Sequence, residues 1–233
     1  MPQHPHGPLR SFGRIKARPI KARQASLLET LLPTLALDLS PPLDLQAMKP
    51  DAAEVWLEIG FGGGEHLAAQ AGRRPDVLML GAEPFLNGVA SALRHIEAAA
   101  LTNVRLHAGD ARDLLAALPD GSLDRVFILF PDPWPKLRHH KRRLIQAETV
   151  VELARVLKPG GRLRFATDWA DYADWTLERM TAAPQLVWTA ERADDWRLPP
   201  PDHAPTRYQA KQLGDIAPVY LEFERAPAVT AGS

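Results

Sequence analysis

The stretch EVWLEIGFGGGEHLAAQAGRR, Glu54 to Arg74, decides the fold. Its first seven residues, rich in Val, Trp, Leu and Ile, predict a buried strand. Gly60, Gly62 and Gly64 then allow a tight turn and close approach of the backbone to a ligand. From Gly64 to Arg74 the pattern becomes helical. Strand, glycine turn and helix in this order predict the first unit of a parallel α/β sheet.

The same rhythm continues downstream. VLMLGAEP (Val77–Pro84), VRLHAGD (Val104–Asp110), DRVFILF (Asp124–Phe130) and GRLRFATD (Gly161–Asp168) read as strands. Helices are expected over Leu86–Ala100, around DLLAALP, from about His140 to Leu157, and from Asp168 to about Met180. In the third of these, Leu144, Ala147, Val151 and Ala154 would share one face, with KPGG ending it. LVWTAE and VYLEFER supply the last strands. The expected architecture is a mostly parallel seven-stranded sheet with helices on both faces.

Composition bounds the function. The 233 residues, 45% hydrophobic and 24% charged, suit a soluble globular protein with one sizeable domain and appendages. There is no cysteine, which excludes disulfides and thiolate metal sites. The eight histidines are scattered or lie in basic or loop contexts, and no metal is expected. The N-terminus lacks the apolar core of a signal peptide and no apolar run could cross a bilayer, so a cytoplasmic protein without membrane contact is expected. Net charge is zero, yet Arg10, Arg14, Lys16, Arg18, Lys21 and Arg23 form an acid-free basic arm. A second basic cluster spans Lys136 to Arg143. Local patches rather than net charge decide where a polyanion docks.

Ligands of such sheets lie beyond the carboxyl ends of the strands, near the switch in strand order. After the first strand, a dinucleotide fingerprint would need glycine where Glu65 stands. With Glu58 also close, the turn would repel a pyrophosphate and suits a ligand with a cationic amino-acid end. The second strand ends at Glu83, about twenty residues past the glycines, where an acid accepts hydrogen bonds from ribose hydroxyls. The third places Asp110 where an adenine edge could be read. Together these describe an S-adenosylmethionine pocket. Competing readings have Glu83 facing solvent and Asp110 capping the next helix.

The fourth strand runs into VFILFPDPWPKLRHHKRRL, Val126 to Leu144. Asp132 lies between Pro131 and Pro133, on backbone that proline stiffens. Trp134 offers a face on which a base could stack, unless it merely closes the core. Asp168, at the end of the fifth strand, could contact substrate or cap the following helix, a task Thr167 could share.

These motifs, with ATDWADY and the late PTRYQAK, occur in an order and spacing that resembles the bacterial tRNA (guanine-N7-)-methyltransferases. RSFGRIKARPIKARQ also looks like that family's basic N-terminal segment, so the likeness runs from about Arg10 to Arg225. The resemblance implies a Rossmann-like class I methyltransferase that moves a methyl group from S-adenosylmethionine to N7 of a guanine in the tRNA variable loop. It implies that Glu58, Gly60, Gly62, Glu83 and Asp110 hold the cofactor. Asp132 would be catalytic and also near the cofactor. Lys136, Asp168, Thr206, Arg207, Tyr208 and Gln209 would bind the substrate, with Lys211 nearby. Arg138, Lys141, Arg142 and Arg143 are expected on RNA phosphates, the last of these at the start of a helix. Residues 1–40 would be a basic arm and helix, 41–225 the catalytic domain, and 226–233 a disordered tail, in a monomer or homodimer. Family members often carry Glu where Gln209 stands and His where Phe85 stands, which alters the groups offered to the base.

Other classes fit less well. Adenine-N6 methyltransferases place two adjacent prolines after an Asp or Asn, whereas Asp132 separates Pro131 from Pro133. Glu58 and Glu65 disfavour a nucleotide-dependent dehydrogenase. A non-catalytic RNA-binding protein has no use for acids at the second and third strand ends.

Overall fold

The computed structural model describes residues 19–40, 43–211 and 213–227. Most of the basic arm and the end of the tail lie outside these residues. The strands are β1 (Glu54–Ile59), β2 (Val77–Ala82), β3 (Val104–His107), β4 (Leu123–Leu129), β5 (Leu157–Thr167), β6 (Leu186–Trp188) and β7 (Val219–Arg225). They form one sheet in the order β3-β2-β1-β4-β5-β7-β6, with β7 antiparallel to both neighbours and the other pairs parallel. The helices are α1 (Ala22–Thr30), α2 (Leu32–Leu35), α3 (Leu45–Met48), α4 (Glu65–Arg73), α5 (Leu86–Ala98), α6 (Ala111–Ala117), α7 (Ala147–Val156), α8 (Ala170–Thr181) and α9 (Asp194–Arg197).

Alternation along the central strands separates two cores. Trp56 and Phe127 face a layer with Leu67 of α4, Val89 and Leu93 of α5 and Leu27 of α1. Leu57, Val126 and Ile128 face Leu114 and Leu115 of α6, Leu153 of α7 and Tyr172 and Met180 of α8. Each fully buried side chain of this size contributes roughly 1.5–3 kcal/mol over its exposed state. Burial on both faces is what β-rich apolar runs joined by amphipathic helices require. Helix α1 therefore belongs to the same packed unit: Leu27 and Leu35 are buried, and Ala36 pairs with Leu106 at the sheet edge.

Register sets the site. Ile59 pairs with both Ala82 and Ile128, so β1, β2 and β4 end at one level. Gly60, Glu83 and Phe130 leave the sheet side by side, at the point where strand order reverses between β1 and β4.

One helix differs from its expected course. Residues Leu137–Arg142 form a tight 3₁₀ turn, and α7 begins only at Ala147. Side chains hold the intervening backbone in place of a helical ladder. Arg143 Nε donates to the Pro133 carbonyl (2.9 Å), and Gln146 Nε2 donates to the carbonyls of His140 (2.8 Å) and Arg143 (3.1 Å). The phase of α7 shifts accordingly. Val150, Leu153 and Ala154 point inward, while Val151, expected on the buried face, is 62% exposed.

Gly64 fixes how α4 meets α5. Its φ is +81°, and a Cβ there would lie 2.4 Å from the Cβ of Ala92. Gly64→Ala is therefore expected to lower the unfolding free energy by about 2–4 kcal/mol, combining left-handed strain with an overpacked contact. Urea unfolding followed by circular dichroism measures this; an unchanged midpoint would show that α5 yields without cost.

Candidate active site

Beyond the ends of β1, β2 and β4 lies a cleft of about 370 Å³. The glycine turn forms its floor. Gly60 and Gly62 adopt φ of +72° and +52°, and a Cβ on either would meet nothing within 4 Å, so bare backbone borders the cleft there. Glu83 holds the turn in place. One carboxylate oxygen accepts from Gly62 N–H and the other from Phe85 N–H, each at 2.8 Å. Glu83 is only 7% exposed, which removes the reading of a solvent-facing acid. Burial raises its pKa above the usual carboxylate range; the two N–H donors oppose that shift, and the charges of Asp132 and Glu58 add to it.

Glu58 is 2% exposed, at the end of β1 on the cleft wall. Its Oε2 pairs with His66 Nδ1 of α4 at 2.8 Å. Asp110 also lines the cleft, and it caps α6 as the competing reading held: its carboxylate accepts from Arg112 N (3.0 Å) and takes the Arg112 guanidinium through two further bonds. Capping and cleft-lining coexist in one side chain.

The fourth strand supplies the opposite wall. Phe130 and Trp134 both have positive φ, +53° and +44°, which for residues with a Cβ costs on the order of 1–3 kcal/mol each. Phe130 N–H donates to the Ala166 carbonyl (2.8 Å), which holds the kink against β5. Between these two residues Asp132 opens onto the cleft. The surrounding walls displace water from it and raise its pKa. Trp134 lines the cleft instead of closing the core, with the Arg142 guanidinium 4.9 Å from its ring centroid.

A loop from the far side of the sheet closes the third wall with Thr206, Arg207 and Tyr208. The Tyr208 ring stacks on Phe130 at 5.4 Å, and its hydroxyl donates to Asp168 Oδ1 at 3.3 Å. Burial raises the Tyr208 pKa. Asp168 is 4% exposed and also accepts from Gly214 N at 3.0 Å, so it fastens the loop from behind. It does not cap α8. Thr167 Oγ1 accepts from Trp169 N (3.2 Å) and Asp215 Oδ1 from Ala170 N (2.9 Å), which leaves Asp168 to the loop.

Asp168, expected on the substrate, is thus buried behind the loop and does not line the cleft, and two further expected site residues sit elsewhere. Gln209 turns away from the cleft: its Oε1 meets His203 Nε2 (2.8 Å) and Thr206 N–H (3.0 Å), and its Nε2 donates to Tyr220 Oη (2.9 Å). Those bonds shape the loop, so an edge contact with a base does not follow from its position. Arg143 is 1% exposed, paired with Asp171 and stacked 4.8 Å from Tyr172 and 4.9 Å from Trp175. A guanidinium so enclosed is not available to phosphates. Lys136, Arg138 and Lys141 are exposed, and Arg142 lines the cleft.

Other contacts carry no plain sequence signal. Arg207 Nε lies 2.6 Å from Glu65 Oε1, joining the loop to the first turn of α4 across the cleft. Asp202, in a proline-rich loop, takes Arg125 (2.9 Å) and Arg164 (2.8 Å) on its carboxylate and Gln70 and Arg73 (each 2.8 Å) on its carbonyl. Burial works against its charge, but Arg164 and Arg125 outweigh that and hold its pKa below the usual range. Among the described residues no cluster of three His, Asp or Glu side chains could hold a metal ion, and no helix is long and apolar enough to cross a membrane.

Comparison with known proteins agrees with this geometry. A family model described as a putative methyltransferase matches residues 52–220. A tRNA (guanine-N(7)-)-methyltransferase from Caulobacter sp. (strain K31) is 64% identical over 226 residues, covering 96% of this chain and 98% of the relative. One of the same description from Hyphomonas neptunium is 52% identical, covering 92% and 99%. Among solved structures, a 16S rRNA (adenine(1408)-N(1))-methyltransferase mutant with cosubstrate SAM from Catenulisporales acidiphilia aligns with TM-score 0.52 at 19% identity, covering 83% of this chain and 93% of its own. The antibiotic-resistance methyltransferase Kmr aligns with TM-score 0.51 at 19% identity, covering 78% and 92%. At that identity the structures establish the fold alone, a Rossmann-like class I methyltransferase. Identity of this degree along nearly the whole length of the curated relatives decides the rest: the chain belongs to the tRNA (guanine-N(7)-)-methyltransferase family.

Proposed function

We propose that this protein transfers a methyl group from S-adenosylmethionine to N7 of a guanine in the variable loop of tRNA. The observation that carries the proposal is the convergence of Glu58, Glu83, Asp110 and Asp132 with Thr206 and Tyr208 on one cleft at the strand switch point. The cleft suits the cofactor: open space over Gly60 and Gly62 admits a ligand against bare backbone, and the acids around it match an ammonium group and ribose hydroxyls. Glu58 would take the amino-acid end, Glu83 the ribose and Asp110 the adenine side, with Asp132 beside the reacting methyl.

The cofactor, when bound, supplies an electrophilic methyl on a positively charged sulfur. Guanine N7 carries a lone pair and no proton, so no side chain is needed as general base. Positive charge moves onto the purine during transfer, and the Asp132 carboxylate is placed to stabilise it. The same carboxylate can accept from the guanine N1 or N2 protons and orient the base. Thr206, Arg207 and Tyr208 would line the base pocket, with Asp168 holding the loop through Tyr208 and Gly214. Lys136, Arg138, Lys141 and Arg142 would meet the phosphates. Within residues 1–40 a basic arm would extend this surface, followed by the helix α1 that packs on the catalytic domain at 41–225, with a tail at 226–233.

Three outcomes test the proposal. With methyl-labelled S-adenosylmethionine and tRNA lacking its own methylation, mass spectrometry should find label in 7-methylguanosine, with Asp132→Ala slower by about 10²–10³-fold. Label in N6-methyladenosine, or tight RNA binding without label, would overturn it. Asp132 must be ionised to work, and its raised pKa keeps it protonated to higher pH than a free carboxyl. Single-turnover rates should therefore climb with pH through a range above the ordinary Asp value, and Asp132→Asn should remove that step from what remains. Finally, Lys141→Ala should lower tRNA affinity and reduce the salt-dependence slope by about one. Arg143→Ala should instead lower the melting temperature, since it removes a buried guanidinium stacked between Tyr172 and Trp175 and paired with Asp171; an unchanged melting temperature with weakened tRNA binding would return Arg143 to the phosphate surface.

A further inference from the structure

Behind the cleft runs a buried chain of polar groups whose donor and acceptor roles can be read unambiguously. Gln70, on α4, places Nε2 2.8 Å from the backbone carbonyl of Asp202 and 3.0 Å from His66 Nε2. A carbonyl oxygen can only accept, so the Gln70 group facing it is the amide NH₂. The same NH₂ then directs its second hydrogen at His66 Nε2, which must offer a lone pair. The imidazole proton consequently sits on Nδ1 and is donated to Glu58 Oε2 at 2.8 Å. All three side chains are at most 2% exposed, so water does not substitute for these bonds.

The consequence falls on Glu58. A doubly protonated His66 would neutralise this carboxylate before any ligand reached it. Donating from one neutral nitrogen, His66 orients Glu58 and leaves its negative charge to the cleft. The charged groups nearby are paired among themselves. Arg125 of β4 and Arg164 of β5 lie over Phe127 at 5.2 and 5.6 Å, and that ring meets His66 edge-on at 4.9 Å. His203 of the acceptor loop lies 6.1 Å from His66, and the Asp202 carboxylate is spent on Arg125 and Arg164. Arg164 is also paired with Glu222 at 2.5 Å, so both guanidinium charges are met by carboxylates, and the donor from Gln70 is left to set the tautomer of His66.

We propose that Gln70 is a positioning residue which, anchored on the Asp202 carbonyl of the loop that also carries Thr206 to Tyr208 (the acceptor loop), fixes His66 as a neutral Nδ1–H donor and so leaves the charge of Glu58 uncompensated for the ammonium end of S-adenosylmethionine. It rests on the proposed function and adds to it a physical link from the acceptor loop to the cofactor acid. The link runs Asp202, Gln70, His66, Glu58, and none of its first three members lines the cleft.

The test combines imidazole ¹⁵N NMR with calorimetry on the full chain. In the wild type, His66 should carry its proton on Nδ1 alone. Gln70→Glu replaces the donor facing Nε2 by an acceptor, so His66 should become protonated on both nitrogens and pair with Glu58. S-adenosylmethionine should then bind roughly tenfold more weakly or worse, the scale of a lost hydrogen bond to a charged group. 5′-Methylthioadenosine, which lacks the amino-acid end, should bind Gln70→Glu as it binds the wild type. In a His66→Asn background, whose amide still offers an N–H to Glu58 but takes up no proton, Gln70→Glu should no longer weaken S-adenosylmethionine.

Equal weakening of both ligands, or an undiminished effect in the His66→Asn background, would overturn the inference in favour of a general loosening of the site. Wild-type His66 protonated on Nε2 would overturn it as well. A wild type that binds no S-adenosylmethionine, yet shows His66 protonated at Nδ1 alone, would overturn the proposed function and the cofactor half of the inference while upholding the hydrogen-bond assignment.

Discussion

The cleft depends on one buried carboxylate. Glu83 ends β2 and binds two backbone N–H groups, one from the glycine turn after β1 and one from the residue that opens α5. Gly60 N–H donates to the Ala82 carbonyl at 2.8 Å, but beyond that bond it is Glu83 that ties the glycine turn to the neighbouring strand, since glycines confer freedom and no preference. Burying the charge is costly, and the raised pKa of Glu83 shows that its two donors do not fully offset the loss of water. A neutral amide in its place would turn an NH₂ toward one of those donors. The constraint therefore demands an acid that can accept on both oxygens, and the same side chain lines the cleft.

The second constraint lies in how the acceptor loop is tied down. A long segment between β6 and β7 has little regular structure, only α9 and the short turn Gln209–Lys211, yet it forms one wall of the cleft. Besides Arg207 on Glu65 and Gln209 on Tyr220, two carboxylates fasten it. Asp202 is bound from below by β4, β5 and α4, and Asp168 reaches from the end of β5 to Tyr208 and Gly214. Both anchors are held by β4 or β5, the central strands whose ends border the cleft, so the loop inherits the precision of the sheet. Irregular backbone with buried side-chain anchors can hold a pocket as rigidly as a helix does.

The sheet and the strand-end acids were legible because they rest on local signals. Apolar runs of strand length, glycines after the first and acids after the second and third need no knowledge of distant residues. The same signals misread Arg143, since a run of Lys, Arg and His looks like a solvated surface wherever it occurs. Only the arrival of Tyr172, Asp171 and Trp175 from α8 makes the inside the better place for that guanidinium. Helix α7 was misphased for a related reason: Gln146 bonds to the carbonyls of His140 and Arg143, which a helix starting at His140 would otherwise use. Asp202, Gln70 and His66 were invisible in the sequence, because their meaning comes from contacts spanning up to 132 residues.

A net charge of zero conceals a steep local division. The cleft is lined by Glu58, Glu65, Glu83, Asp110 and Asp132 against Arg112, Arg142 and Arg207, and two of those arginines are committed to Asp110 and Glu65. Lys136, Arg138 and Lys141 stand just outside, on the rim that follows Asp132. A polyanion approaching this surface meets attraction at the rim and repulsion within. Phosphates are held outside, and a base, which carries no charge, can enter alone. The cation-bearing cofactor meets the opposite field and is drawn in. The run from the proline-bound Asp132 to Lys141 thus divides this surface by charge, with an acid inside the cleft and bases along its rim.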